Sequence, residues 1–244
     1  MCPLSPIPPH LPLLTQGCNR LLASLSESEY REIARDLYPV HLHRKVVVGE
    51  RDKPATNVYF PCGGVLSVLA FMQSGAAVEV GTIGKEGFFG LELLVGGNEW
   101  TETTVCQVEG PCLRMPVVAF RDAIAGDTPL RRVTQRYLMA YLALVSQSVA
   151  CNRLHNVEER FARWVLMTHD RVDGNEFFLT QDFIADMLGV HRPSVSLVAG
   201  AFQQAGFIKY SRGAMTILNR EGLEEASCEC YASNAAQFAR LMAH

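Results

Sequence analysis

The stretch from Thr180 to Gly213, T-Q-D-F-I-A-D-M-L-G-V-H-R-P-S-V-S-L-V-A-G-A-F-Q-Q-A-G-F-I-K-Y-S-R-G, constrains this chain more than any other. Phe183, Ile184, Met187 and Leu188 give a first helix one apolar face. Thr180 is placed to cap its N-terminus, and Asp182 sits near the positive end of its dipole. Gly189 then interrupts the pattern where a tight turn is needed. Val195, Val198, Ala199 and Phe202 recur at i, i+3, i+4 and i+7, one stripe of a second helix. Pro193 is tolerated only in a first turn, so this helix starts near His191 or Arg192. Gly206 suits its C-terminal stop. Two short helices joined by a glycine turn are the pattern of a helix-turn-helix, whose second helix can enter the major groove. The same spacing also allows an ordinary helical hairpin packed on a small sheet.

Charge separates the two readings. No Asp or Glu occurs from Met187 to Arg220, whereas Arg192, Lys209, Arg212, Arg220 and His191 do. A surface that meets phosphates excludes carboxylates, because like charge repels and each neutralised phosphate releases counterions. The surrounding region is not basic in bulk: Cys151 to Gly222 holds eight Lys plus Arg and eight Asp plus Glu, and the chain's net charge is −3. Affinity for nucleic acid must therefore come from local arrangement.

At 244 residues, 48% hydrophobic and 19% charged, the chain suits one large or two modest globular domains. It has no run of about 18 apolar residues, so no membrane span is expected. The N-terminal segment is Pro-broken and lacks a basic start, unlike a signal peptide. A cytoplasmic, reducing location follows, with the eight cysteines expected as thiols. They stand at 2, 18, 62, 106, 112, 151, 228 and 230, without a C-x-x-C pair.

Upstream, residues 1–20 are Pro-rich and read as an irregular arm. Asn19 to Leu37 reads as helical, with a capping box at Ser26 and Glu29. From about Val40 the period becomes that of strands. His41 to Glu50, Asn57 to Phe60, Val65 to Met72, Ala76 to Ile83, Thr103 to Val108 and Cys112 to Met115 alternate with Gly-rich turns, as in a sandwich or barrel. Pro116 to Ala125 reads as a short helix. Pro129 to Leu154 is a long helix without internal Gly or Pro. Leu130, Val133, Tyr137, Ala140, Tyr141, Leu144, Ser148 and Cys151 form a seam on it at coiled-coil-like spacing. The seam faces either a partner copy or the chain's own barrel. Asn156 to Asp170 is a further helix, F-F-L a short strand, M-T-I-L the second strand of a wing, and the tail is partly helical.

This order, with the motif F-I-A-D-M-L-G-V-H-R-P-S-V-S, resembles the Crp/Fnr family of bacterial transcription regulators. The resemblance implies an α+β chain with a β-roll (double-stranded β-helix) effector domain, a long dimerisation helix and a winged helix-turn-helix. The divisions expected are 1–20 for the arm, 21–128 for the cyclic-nucleotide-binding-like domain, 129–154 for the dimerisation helix, 155–222 for the DNA-binding domain and 223–244 for the tail. It implies a homodimer on a palindromic DNA site, with RNA polymerase as a further partner and no catalysis; no cofactor is expected, because no ligand spacing selects one. Arg192 falls at the family's base-reading arginine, able to grip guanine O6 and N7. Thr180, Gln181, His191 and Ser194 fall at backbone-contact positions, with Ser196 and the wing residue Arg212 as further contacts. The family's acidic base-reader is replaced by Pro193, and a second arginine position by Leu197. The target sequence should therefore differ from the family's commonest half-site.

The effector domain departs further. The family's Gly-Glu-Leu segment, whose carboxylate takes the ribose, is matched by Gly87-Phe88-Phe89-Gly90-Leu91. The Arg-Ser pair that takes the cyclic phosphate falls near Thr101 and Glu102, and no arginine lies between Gly87 and Arg114. A buried phosphate without a cation is badly compensated, so cAMP is not expected to bind tightly. Phe88, Phe89, Glu92, Thr101 and Glu102 remain as candidates to line a pocket for an unknown small-molecule effector, with Glu92 a displaced ribose ligand. Alternatively, Phe88 and Phe89 fill the site.

Three other readings stay open. His41-x-His43 on a strand suggests a cupin-like metal enzyme, but no carboxylate follows at the spacing a cupin needs. A haem or iron–sulfur group is selected by no ligand spacing, and the C-x-C of Cys228 and Cys230 is read as two free thiols, so no metal site is assigned. A ligand-binding dimer that has lost DNA binding is opposed by Arg192 and the acid-free window.

Overall fold

The computed structural model describes residues 5–6 and 15–243. Cys2, His10 and most of the predicted arm lie outside the described residues. Contacts group the chain into two units, one formed by residues up to Val68 with Thr82–Ala140, the other by Leu69–Gly81 with Tyr141–Ala243.

The first unit carries the strands. In chain order these are β1 Ser5–Pro6, β2 Tyr38–Leu42, β3 Val47–Gly49, β4 Asn57–Pro61, β5 Val65–Phe71, β6 Ala77–Ile83, β7 Thr103–Val108 and β8 Gly110–Pro116, the end of β5, the turn and most of β6 (Leu69–Gly81) belonging to the second unit. They form two four-stranded sheets, ordered β1-β2-β8-β4 and β3-β7-β5-β6. The predicted single strand from His41 to Glu50 is two strands. The chain turns at Arg44 and Lys45, where Lys45 adopts φ +69°, so that β2 enters one sheet and β3 the other. Ser5 and Pro6 pair with His41 and Val40, so this part of the arm is regular rather than irregular.

Short helices close the unit. The predicted helix from Asn19 to Leu37 is divided into α1 Arg20–Ala23 and α2 Glu27–Ala34, because the Ser26–Glu29 capping box starts a second helix inside it. Asn19 is fully buried yet satisfied: its Oδ1 accepts from the amides of Leu21 and Leu22, and its Nδ2 donates to the carbonyls of Pro61 and Gly87. Cys18 and Cys62 are joined by a disulfide, contrary to the expectation of free thiols, with their Cα atoms 4.7 Å apart. The five remaining described cysteines are free. After β8 comes α3, Val117–Ala123.

The long helix α4 spans Pro129–Leu154. Of its predicted seam, Leu130, Val133, Tyr137, Ala140, Leu144, Ser148 and Cys151 are all buried within the chain itself. Of the two readings of this stripe, its burial favours packing on the chain itself, with Tyr141 half-buried beside it. Helical spacing identified the apolar face but not what covers it. A different face of α4 is open, carrying Met139 (56% exposed), Leu142 (51%) and Val149 (67%).

The second unit continues with α5 Val157–His169, β9 Glu176–Phe178, α6 Gln181–Leu188, α7 Arg192–Gln204, β10 Ile208–Ser211, β11 Ala214–Ile217, α8 Arg220–Ala226 and α9 Cys230–Met242. Asn156 and Glu159 form a capping box at the start of α5. The three strands make a small sheet ordered β10-β11-β9. Val195, Val198, Ala199 and Phe202 of α7 are all buried, and the ring of Phe202 stacks on Phe161 at 5.4 Å. No helix among the described residues is long and apolar enough to cross a membrane.

Candidate nucleic-acid interface

Helix α6 starts where the sequence places it. The Thr180 hydroxyl accepts from the amide of Phe183, capping the first turn while keeping its own proton free to donate. The helix stops at Gly189, which adopts φ +62°, a conformation that costs glycine nothing and other residues about 1 kcal/mol or more. Val190 then returns its amide to the carbonyl of Ala185, fixing the turn. His191 is the N-cap of α7 with no side-chain cap bond, and Arg192 and Pro193 form its first positions. The amide of Ser194 is taken by the His191 carbonyl. Imidazole and guanidinium thus stand at a helix N-terminus, where backbone donors and dipole already favour an anion.

The wing is equally defined. Ser211 pairs with Ala214 across a two-residue turn, Arg212-Gly213, with φ of +51° and +88°. Two left-handed residues in sequence are the tight hairpin turn that matches strand twist. A side chain at Gly213 would also run into the Phe178 ring, 2.5 Å from where its Cβ would stand. This turn carries Arg212 toward α6 and α7. One open groove is lined by Thr180, Gln181, Arg192, Ser196 and Arg212 together. Five residues proposed from sequence therefore share one concave surface. His191 and Ser194 do not line it; they lie at the start of α7.

Hydrogen bonds order the groove. The Ser196 hydroxyl donates to Gln181 Oε1 at 2.8 Å and also reaches the Arg192 carbonyl at 3.3 Å. Arg192 Nε lies 3.4 Å from Asp182 Oδ1. The acid-free window in sequence is thus not acid-free in space, because α6 brings Asp182 back against α7. Leu197 is 76% exposed on the outer face of α7. An exposed methyl group there suits a thymine methyl in the major groove. Arg220, counted among the basic residues of the window, is turned away: it binds Asp170 at 2.7 Å and Glu224 at 2.8 Å and also holds Tyr231 and His169. It belongs to a structural network rather than to the groove.

Tyr210 closes the floor of the groove. Its hydroxyl donates to the Leu179 carbonyl at 2.6 Å, and burial, with Asp182 adding to it, pushes its pKa up to about 12. Neither Asp182 nor Tyr210 was singled out as a site residue, since only packing brings them under Arg192. A second connection also escapes the sequence. The Trp164 indole donates to Glu79 Oε1 at 2.8 Å, and a Cβ added at Gly189 would stand 3.3 Å from Val78 Cγ2, so the start of β6 packs on α5 and lies close to the turn between α6 and α7.

In the β-roll, Phe88 is fully buried, its ring centroid 5.5 Å from Phe60 and Phe120 and 5.7 Å from Tyr137. Phe89 is buried against Trp100 at 4.3 Å. Glu92, the displaced ribose candidate, is instead engaged by Thr101, whose hydroxyl donates to it at 2.9 Å and whose amide donates at 3.3 Å. Glu102 holds one buried carboxylate oxygen without a hydrogen-bond partner.

The His41 and His43 rings do turn together, with centroids 4.9 Å apart, and Glu109 comes within 4.0 Å of His43. This carboxylate arrives from the β7–β8 turn, not from the strand that carries the histidines. Burial, then the neighbouring His43, holds the His41 imidazole below its usual value. His43 and Glu109 stand largely open to solvent.

Residues 159–226 match the Crp-like helix-turn-helix domain family, and residues 39–127 match the cyclic nucleotide-binding domain family. No curated protein matches the chain. Several solved structures share its fold. FixK2 of Bradyrhizobium japonicum is 16% identical with a TM-score of 0.67, over 79% of this chain and 98% of that one. A protein of Eubacterium rectale assigned to the crp/fnr family of transcriptional regulators is 18% identical with a TM-score of 0.66, over 86% of this chain and 98% of its own. A CRP-family transcriptional regulator of Thermus thermophilus is 20% identical with a TM-score of 0.65, over 77% of this chain and 95% of its own.

Proposed function

We propose that this chain, which belongs to the Crp/Fnr family of transcription regulators, reads a two-fold symmetric DNA site as a homodimer, with Arg192 as its base-reading residue. The observation that carries this reading is the groove in which Thr180, Gln181, Arg192, Ser196 and Arg212 converge. Arg192 supplies two parallel donors for guanine O6 and N7, while Thr180, Gln181, His191, Ser194 and Arg212 hold phosphates and set register. Ser196 keeps Gln181 in place. Leu197 adds a thymine methyl contact. In a dimer the two recognition helices enter successive major grooves about 34 Å apart. The exposed face of α4 with Met139, Leu142 and Val149 supports that assembly.

The regulator acts without cAMP. Phe88 occupies the ribose carboxylate position and is core, and no arginine stands ready for the phosphate. Glu92 and Thr101 satisfy each other. An effector of other chemistry acts through the β-roll, and the start of β6, which grips Trp164 through Glu79, transmits its effect to the helix-turn-helix. The protein works in the cytoplasm, where its DNA and RNA polymerase are. Selection from a palindromic DNA library followed by gel shift tests the whole reading. A two-fold site should emerge and Arg192→Ala should abolish its specific shift; a protein that enriches no sequence refutes it.

A further inference from the structure

Four side chains far apart in sequence meet in the second unit. Cys151 and His155 lie one helical turn apart at the C-terminal end of α4, the amide of His155 bonding to the Cys151 carbonyl. Cys228 and Cys230 flank the start of α9. Their ligand atoms all lie within 4.8 Å of one another. Cys151 Sγ is 3.5 Å from Cys228 Sγ, and Cys230 Sγ is 3.6 Å from His155 Nδ1. The three sulfurs are buried and the histidine side chain is 16% exposed.

From this geometry we propose that Cys151, His155, Cys228 and Cys230 bind one zinc ion per chain. Zinc takes thiolate sulfur at about 2.3 Å and imidazole nitrogen at about 2.0–2.1 Å in a tetrahedron, whose edges are then about 3.4–3.8 Å. The Cys151–Cys228 and Cys230–His155 separations already match such edges. Three sulfurs and one nitrogen in this shape select zinc over the oxygen-seeking metals. An iron–sulfur cluster spreads its thiolates over several irons and needs them wider apart. A Cys151–Cys228 disulfide would leave Cys230 and His155 unused.

The surroundings are those of a metal site. His155 turns Nδ1 to the sulfurs, while its Nε2 lies 3.1 Å from Glu229 Oε2, the carboxylate that fixes the ring and raises its basicity as a ligand. Gln147 donates to Cys230 Sγ at 3.0 Å. Arg160 and Arg163 are buried on α5, where Arg160 donates to the Leu188 carbonyl and Arg163 Nη1 lies 3.1 Å from Met167 Sδ, while the Nε of each lacks a hydrogen-bond partner. Three thiolates on one zinc ion carry a net charge of −1, which gives these cations an anionic neighbour. Loading releases the thiol protons to solvent, one for each cysteine that was protonated. The ligands bracket residues 156–227, so one ion closes the base of the entire helix-turn-helix segment onto the end of α4.

The test is metal analysis of the full-length protein purified with reductant. The expected result is one zinc per chain retained through dialysis. After chelation the protein should take up one Co²⁺ per chain, with thiolate charge-transfer absorption and the visible bands of a tetrahedral ion. Cys228→Ser with Cys230→Ser should abolish both. Because that variant can fail to fold, His155→Cys and Glu229→Gln provide independent readings: H155C should keep the ion, and E229Q should bind it about 10–100-fold more weakly. A folded protein that takes up neither zinc nor cobalt stoichiometrically overturns the proposal. So does iron with acid-labile sulfide, or a Cys151–Cys228 disulfide that forms in place of metal loading. The result is independent of DNA binding.

Discussion

Arg192 Nε stands 3.4 Å from Asp182 Oδ1, across the turn that joins α6 to α7, with the two side chains 62% and 69% exposed. An exposed pair of this kind is worth about 0–1 kcal/mol, too little to hold the guanidinium against a guanine. Arg192→Ala should therefore cost about 1–3 kcal/mol of discrimination at one base pair, because the base contact is lost and only a weak pair goes with it. Fluorescence anisotropy on the selected site and on a site changed at that position measures it. Equal losses on both sites would make Arg192 a phosphate contact instead.

Asp182→Asn should have the opposite sign. It removes the carboxylate nearest the groove's cations and leaves Arg192 unpaired. Binding to any duplex should tighten a few-fold, with a steeper dependence on salt, since phosphates no longer compete with Asp182. The check is the slope of log affinity against log salt for both proteins. An unchanged slope would place Asp182 away from the bound backbone.

Much of this groove was legible in sequence. Thr180 as a cap, Gly189 as a left-handed stop and the buried stripe of α7 follow from local rules that need only neighbouring residues. The Ser26–Glu29 capping box was legible for the same reason. What stayed hidden was set by packing between distant segments. Acid-free sequence from Met187 to Arg220 did not exclude Asp182, which precedes the window and folds back on it. Arg220 was spent on Asp170 and Glu224. The apolar stripe of α4 was visible, yet only the folded chain shows that it is buried at home and that Met139, Leu142 and Val149 form the open face. Cys151 and Cys228, 77 residues apart, could not be joined by any spacing rule.

Phe88 gives the clearest test of the effector domain. Its ring is enclosed by Phe60, Phe120 and Tyr137, so Phe88→Ala should destabilise the fold by about 3–5 kcal/mol, the usual cost of emptying an aromatic core position. Denaturant unfolding reads this directly. The wild-type protein should show no heat of binding with cAMP at micromolar concentration. A smaller loss than about 1 kcal/mol would show that Phe88 lines open space rather than core.

The exposed face of α4 predicts the assembly. Leu142→Glu with Val149→Glu places two carboxylates on that face, while the buried stripe from Leu130 to Cys151 is untouched. The double variant should elute as a folded monomer and lose affinity for the palindromic site at least ten-fold, because the two half-sites then bind independently. Light scattering after size exclusion gives the mass. A variant that remains dimeric would move the interface elsewhere.

Tyr210 links the groove to pH. Its pKa is raised from the ordinary value of 10.0 to about 12, chiefly by burial, with Asp182 adding to the shift. A phenol whose folded-state pKa is raised binds its proton more tightly in the folded chain than in the unfolded one. Its contribution to stability is complete below pH 10 and is lost as pH rises through about 12. Tyr210→Phe should cost about 1 kcal/mol near neutrality, the usual worth of one hydrogen bond, here that to the Leu179 carbonyl. The difference between the two proteins should shrink from pH 10 upward and change sign before about pH 12, because a shift of that size outweighs a gap of about 1 kcal/mol. Thermal melts across this range measure it. Because Asp182 contributes to the shift, the Asp182→Asn protein should start to lose this stability at the same pH, set by the unfolded phenol near 10, but should lose less of it in total; a gap between wild type and Tyr210→Phe that stays constant from pH 8 to 12 would show that the Tyr210 phenol titrates alike in both states.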